Sequence, residues 1–294
     1  MILNNFFNEN KQIFNQGINL EELLEDAEQA LDKHGFYIAK NLLKLKAYKN
    51  CRDEAIKYMG QKLSQKQKFP HSLRGDIAAG MTDTFGYSNS KSWKVYRHCS
   101  FTWNKRNPDL QVLLDVSNCI SKIRNLLNHN DLDYGVAIEE NGYITYTSLS
   151  LYPNDGGFLR RHHDGLEYGS DNSNQGKILH FKIELTHLGT DYKEGGFLIK
   201  DKESGEMVNI SSQALPSDVL FFDGSQQHEV SPTKGGKLGR IAFFQIPTFV
   251  SGESRIGLFT GEGWSKPKIA MSLLSNKSLF IFKKTVKKII ALIP

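Results

Sequence analysis

The sequence predicts an α+β protein whose helices pack on one face of a β-barrel or sandwich. Helical periodicity dominates the first 140 residues, whereas from residue 143 to about 250 strand-like runs alternate with Gly, Asp, Asn and Pro. Helices grouped ahead of strands, rather than alternating with them, are the pattern of segregated layers. With 39% hydrophobic and 23% charged residues the chain has the apolar surface a folded core needs, and no repeat or low-complexity tract interrupts it. Barrels of this length are commonly one unit. Residues 1–294 therefore read as a single domain, with a helical part over 1–140, a β core over 143–250 and a basic tail over 277–294.

The elements follow in order. Leu20, Leu23, Leu24, Ala27 and Leu31 recur at helical spacing among acids, and the helix they predict stops near Gly35. A short strand, Phe36 to Ala39, follows. Leu42 to Gln65 returns to a helical pattern with Tyr48, Cys51, Ala55 and Tyr58 on one side. Lys66 to Asn107 is polar and aromatic without a clean period and reads as an irregular binding or lid segment. Arg97, His98 and Trp103 are its candidate substrate contacts. Another helix is predicted over Leu110 to Leu127, and strands over Tyr143–Tyr152, Ile178–Thr186, Gly196–Lys200, Val219–Asp223 and Arg240–Pro247.

Charge and composition exclude several functions. The net charge is +5, but Lys277, Lys283, Lys284, Lys287 and Lys288 lie in a tail without acids; the other basic residues only balance the 32 acidic ones. The body therefore carries no overall excess of the kind that drives binding to a phosphate backbone, and no nucleic-acid partner is expected. Three dispersed cysteines fit neither a disulfide framework nor a zinc knuckle. The N-terminus lacks the pattern of a signal peptide and no run of roughly 18 to 20 apolar residues occurs, so a cytoplasmic location is expected. In the tail, Phe282, Val286, Ile289, Ile290 and Ile293 share a helical side opposite the lysines. Such a helix can lie on anionic lipid, suggesting a peripheral membrane contact and a small-molecule or lipid-linked substrate.

The chemistry concentrates at Arg161-His162-His163-Asp164-Gly165, which contains His-x-Asp, with His228 downstream. Two imidazoles and one carboxylate form a facial triad that leaves three positions open on Fe(II), enough for a bidentate keto acid and O2. A second His-x-acid occurs at His129-Asn130-Asp131, but at the polar end of a helix, where capping explains it. On the strand before His162, Tyr146, Ser148, Ser150 and Tyr152 share one face, which is polar for a barrel interior unless it lines a site.

Tyr152, Gly156, His162 and Asp164 resemble the start of the catalytic core of 2-oxoglutarate-dependent dioxygenases of the prolyl-4-hydroxylase and phytanoyl-hydroxylase-like type. The order continues with Glu194-Gly195-Gly196, then Pro216 to Phe222, then His228, Val230 and Pro232. This covers about Tyr143 to Pro247. The resemblance implies a double-stranded β-helix (jelly-roll) core with N-terminal helices on one face. It also implies that His162, Asp164 and His228 hold Fe(II), with 2-oxoglutarate and O2 as co-substrates, and that the outcome is hydroxylation, since related halogenases replace the carboxylate with a small residue. Family members clamp the far carboxylate of 2-oxoglutarate with a cation on the strand after the second histidine, here Arg240, with Tyr152 as a second contact. Ala242 departs from the serine common at that place, and Lys182 is the rival anchor. The other readings are a cupin-like metal enzyme and a barrel that binds without turnover.

Overall fold

A computed structural model describes residues 6–7, 9–63, 84–101, 107–136, 143–164 and 179–249. The expectations for the tail 277–294, for Trp103 and for residues 64–83 lie outside these. Among the described residues three helices precede the barrel core: α1 (Leu20–Lys33), α2 (Leu45–Leu63) and α3 (Gln111–Leu127). Each buries the stripe its periodicity predicts. In α1 the buried side chains are Leu20, Leu23, Ala27 and Leu31, the Asn19 side chain caps the first turn by accepting from Glu21 and Glu22 N–H, and Gly35, at φ +82, follows the end of the helix. In α2 they are Ala47, Tyr48, Cys51, Ala55, Tyr58 and Met59.

Eleven strands form the β part: β1 (Phe36–Ala39), β2 (Thr84–Asn89), β3 (Trp93–Phe101), β4 (Tyr143–Tyr152), β5 (Asp155–His162), β6 (Leu179–Glu184), β7 (Glu194–Lys200), β8 (Met207–Asn209), β9 (Val219–Asp223), β10 (His228–Lys234) and β11 (Arg240–Phe249). Their order is β1-β9-β6-β11-β4-β3-β5-β10-β7-β8, with β2 on β3, and every pairing is antiparallel. The ribbon folds onto itself. Tyr152, Leu220 and Phe222 from one half pack in a single apolar cluster with Phe197, Ile199 and Val230 from the other. β3 joins the halves, because Trp93 and Lys94 pair with β5 while Tyr96 to Phe101 pair with β4. This is the double-stranded β-helix that the resemblance implied.

The first half, β9-β6-β11-β4, turns its other face to the helices. Leu149, Leu151, Phe181, Ile183, Val219, Phe221, Ile241 and Phe243 merge there with the stripes of α1, α2 and α3. Strand alternation then sends Ser148, Ser150, Tyr152, His180, Lys182, Glu184, Arg240, Ala242 and Phe244 into the barrel.

Two sequence expectations need correction. The segment expected to be irregular contains the β2–β3 hairpin, and β5, β8 and β10 were not among the predicted strands. Both errors share a cause. β5 reads Asp-Gly-Gly-Phe-Leu-Arg-Arg-His and β10 pairs with it through successive register shifts, so neither shows the period-two alternation of a regular half-buried strand.

Candidate metal centre

The site forms where β5 ends and β10 begins. His162 and His228 are direct cross-strand partners, their ring centroids 4.3 Å apart. Both imidazoles are fixed in the same way. The Nδ1 of His162 lies 2.8 Å from the Arg160 carbonyl, and that of His228 lies 2.8 Å from the Gln226 carbonyl. A carbonyl only accepts, so each Nδ1 carries the proton and donates it, leaving each Nε2 lone pair free.

Both free nitrogens face Asp164. His162 Nε2 is 3.5 Å from Asp164 Oδ1, and His228 Nε2 is 3.4 Å from Oδ2. The Asp164 N–H donates to the Gly224 carbonyl at 2.8 Å, tying the residue after β5 to the β9–β10 turn. His162, Asp164 and His228 form the one group among the described residues whose donor atoms, within 4.8 Å of one another, could hold a metal ion. Ligands at roughly 2.1 Å and right angles stand about 3 Å apart, so small side-chain shifts would bring the three onto one ion. A donor set of two imidazoles and one carboxylate, without thiolate, fits Fe(II) with open positions.

The electrostatics match a paired carboxylate. Burial works to raise the Asp164 pKa, but the imidazoles around it, His228 first and then His162 and His180, outweigh it and hold the carboxyl well below its usual range. Burial lowers the His228 pKa, while at His162 the Asp164 contacts overcome burial and raise it.

His180, like Glu184 and Thr186, has no role assigned from the sequence. It is fully buried on β6, its Nε2 lies 3.0 Å from Asp164 Oδ2, and its ring packs edge-on against Phe222 at 5.0 Å. Gly224 makes room for it, because a Cβ there would sit 2.3 Å from His180 Nε2. The only sequence signal was a histidine on the barrel-facing side of a strand.

Deeper in the barrel, Arg240 and Tyr152 are cross-strand partners as well as buried neighbours, with the guanidinium 5.3 Å from the Tyr152 ring centroid. Burial raises the Tyr152 pKa against the opposing charges of Arg97 and Arg240. Arg240 also donates from Nη2 to Glu184 Oε1 and from Nε to Ser211 Oγ at 3.4 Å. Both partners of the Arg240–Glu184 ion pair are buried. Lys182, one strand step from Glu184, has its ammonium 3.0 Å from the Phe197 ring centroid, 5.4 Å from that of Phe222 and 5.7 Å from that of Phe244. The sequence candidates in the hairpin separate. Arg97 pairs in register with Ser150, whose face lines the barrel, whereas His98 points the other way and bonds to the Tyr58 hydroxyl of α2 at 2.8 Å.

Similar architectures occur among solved structures. A prolyl-4-hydroxylase from Pseudomonas putida is 14% identical, with 78% of this chain and 100% of that chain covered and a TM-score of 0.50. A prolyl hydroxylase from Trichoplax adhaerens, in complex with a hypoxia-inducible-factor oxygen degradation domain peptide fragment, is 15% identical over 78% and 90%, with a TM-score of 0.52. AviO1 from Streptomyces viridochromogenes Tue57 is 12% identical over 76% and 94%, with a TM-score of 0.51. At these identities the likeness is one of fold. No protein-family model and no curated protein sequence matches the chain.

Proposed function

We propose that this chain is an Fe(II)- and 2-oxoglutarate-dependent oxygenase that hydroxylates its substrate while 2-oxoglutarate is decarboxylated to succinate. The observation that carries the reading is the convergence of His162, Asp164 and His228, each with its donor atom free or oriented for a metal. Their likeness in fold to two prolyl hydroxylases agrees with it.

Bound there, Fe(II) would supply activation of O2 and chelation of the keto acid. The chain's own residues do the rest by holding position. The carbonyls of Arg160 and Gln226 fix the imidazole tautomers, and His180 holds the Asp164 carboxylate, so the three donors that would receive the ion are set in place. Tyr152 and the interior cations would meet the co-substrate's far end. Phe197, Phe222 and Phe244 line the space around Lys182 with aromatic faces. The protein would direct the reaction by placing a C–H bond of the substrate near the ion rather than by acid–base groups.

The lysine-rich tail 277–294 gives the enzyme a peripheral contact with anionic lipid and so access to a lipid-linked substrate. Among the described residues no helix is long and apolar enough to cross a membrane. Flotation with anionic liposomes should retain the full chain and lose a chain ending at residue 276; equal partition would remove the membrane from the account.

The direct test is succinate release from 2-oxoglutarate with Fe(II) under air, across a panel of amino acids, sugars and lipid-linked glycans. Substrate-stimulated succinate should appear with the wild type and vanish in His162→Ala. Equal release from both proteins would refute the assignment.

A further inference from the structure

Among the described residues two arginines are fully buried, and only one of them meets a carboxylate. Arg240 has Glu184. Arg124, 1% exposed in the last turn of α3, has neutral oxygens alone: its Nε and Nη2 donate to Asn125 Oδ1 at 3.1 and 2.6 Å, and Nη2 reaches Thr145 Oγ1 at 3.3 Å. Its Nη1 is buried without a hydrogen-bond partner, and no Asp or Glu among the described residues forms an ion pair with it.

The charge is what makes this arrangement unusual. Burial lowers the Arg124 pKa to about 10, against the pull of Tyr134, so the side chain is still a cation at neutral pH. An amide carbonyl and a hydroxyl supply hydrogen bonds but no counter-charge, and the negative end of the α3 dipole offsets only a fraction of one charge. A cation left buried in that state is costly to the fold. A water molecule could accept from Nη1, but it too would leave the charge unbalanced.

The surroundings are built to enclose something. While its Oδ1 accepts from Arg124, Asn125 donates from Nδ2 to the carbonyls of Leu132 at 2.8 Å and Tyr134 at 3.1 Å, and the Thr145 N–H donates to the Gly135 carbonyl at 2.9 Å. The turn over 131–136 is thereby clamped across the end of α3 and the start of β4. Gly135, at φ +77, lies so close that a Cβ on it would stand 2.4 Å from Thr145 Oγ1. So tight a closure suits a monatomic ion rather than an organic anion. Neighbouring polar groups do not fill the place. Gln245 Oε1 is buried without a partner as well, but Gln245 is tied to Ser117, seven residues before Arg124 on α3 and so about 10 Å away along the helix. The barrel interior at Tyr152 is farther still, seven residues along β4 from Thr145, or about 23 Å.

We infer that Arg124 holds a small inorganic anion of the chemistry of chloride, enclosed between α3, the 131–136 turn and the start of β4. The anion balances the guanidinium and fastens the helix and the turn to the barrel. The site stands apart from the metal centre and does not depend on the oxygenase reading.

The test uses the full chain without added metal, at neutral pH and constant ionic strength, in buffers that exchange chloride for gluconate, an anion too large for the enclosure. The wild-type melting temperature should rise saturably with chloride by about 3–5 °C, the shift of a roughly tenfold change in the folding equilibrium. Arg124→Met, which keeps an unbranched stem and removes the charge, should not respond to chloride, and in gluconate it should melt no lower than the wild type, because a lone buried charge has been removed. Lys182→Met, which removes the buried ammonium inside the barrel, should keep the full shift. A wild-type crystal soaked in bromide gives a readout that needs no variant to fold: an anomalous peak should stand within hydrogen-bond reach of Arg124 Nη1. A wild-type melting temperature indifferent to chloride, a shift that survives Arg124→Met, a shift lost in folded Lys182→Met, or a bromide map empty at Nη1 would each overturn the inference.

Discussion

The two faces of β6 are equally buried and chemically opposite. Leu179, Phe181 and Ile183 point to the helices and join a continuous apolar core, whereas His180, Lys182 and Glu184 point into the barrel, and no residue of the strand is more than 6% exposed. Burial alone therefore says little about what a side chain is for. On the helix side each residue is explained by what it packs against; on the barrel side each polar group is costly to bury and is explained by the group it meets, Asp164 for His180 and Arg240 for Glu184.

Substitutions should separate the faces. The largest stability effect is expected from Phe181→Ala, which removes a fully buried ring from the helix interface and should cost about 3–5 kcal/mol in denaturant unfolding. Metal affinity of the surviving folded protein should stay within about twofold. A parallel loss of metal binding would mean that the faces are not independent.

His180→Ala comes next. It should weaken Mn(II) binding about tenfold to a hundredfold, as loss of the group orienting a metal-ligating side chain does. His180→Gln should recover part of this by donating to Asp164 from its amide. Unchanged affinity in both variants would reduce His180 to packing.

The smallest effect concerns pH and belongs to the helix side. Burial, with Lys62 nearby, pushes the His98 pKa down to about 3 where its ring meets Tyr58. The unfolded imidazole takes up a proton near pH 6.5 and the folded one does not until far lower, so falling pH favours the unfolded state between those values. Stability of the wild type should drop below pH 6.5 by up to about 1.4 kcal/mol per unit from this group, and His98→Phe should flatten the slope. An unaltered slope would show that other groups control the acid limb.

The same division explains how much was legible in the sequence. Helix α1 could be read residue by residue because its stripe, Asn19 cap and Gly35 stop are local signals. His162, Asp164 and His228 could be read because a short motif and an ordered series of turns marked them, and the structure brings them together. The β2–β3 hairpin was hidden by a sequence such as Tyr87-Ser88-Asn89-Ser90, which has little apolar alternation because the pairing strand supplies its order. His180 and the Arg240–Glu184 pair were illegible for a deeper reason. Their partners lie 16 and 56 residues away, and only the register of the barrel decides that they meet. The tail 277–294 remains a sequence-level reading.

The central claim is that His162, Asp164 and His228 hold one ferrous ion that a keto acid then chelates. Anaerobic titration of the full chain with Fe(II), followed by addition of 2-oxoglutarate, tests it most directly. One equivalent of Fe(II) should bind and a weak visible charge-transfer band should develop with 2-oxoglutarate, while Asp164→Ala should bind at least about a hundredfold more weakly and give no band. Equal Fe(II) binding and an equal band in Asp164→Ala would contradict the account.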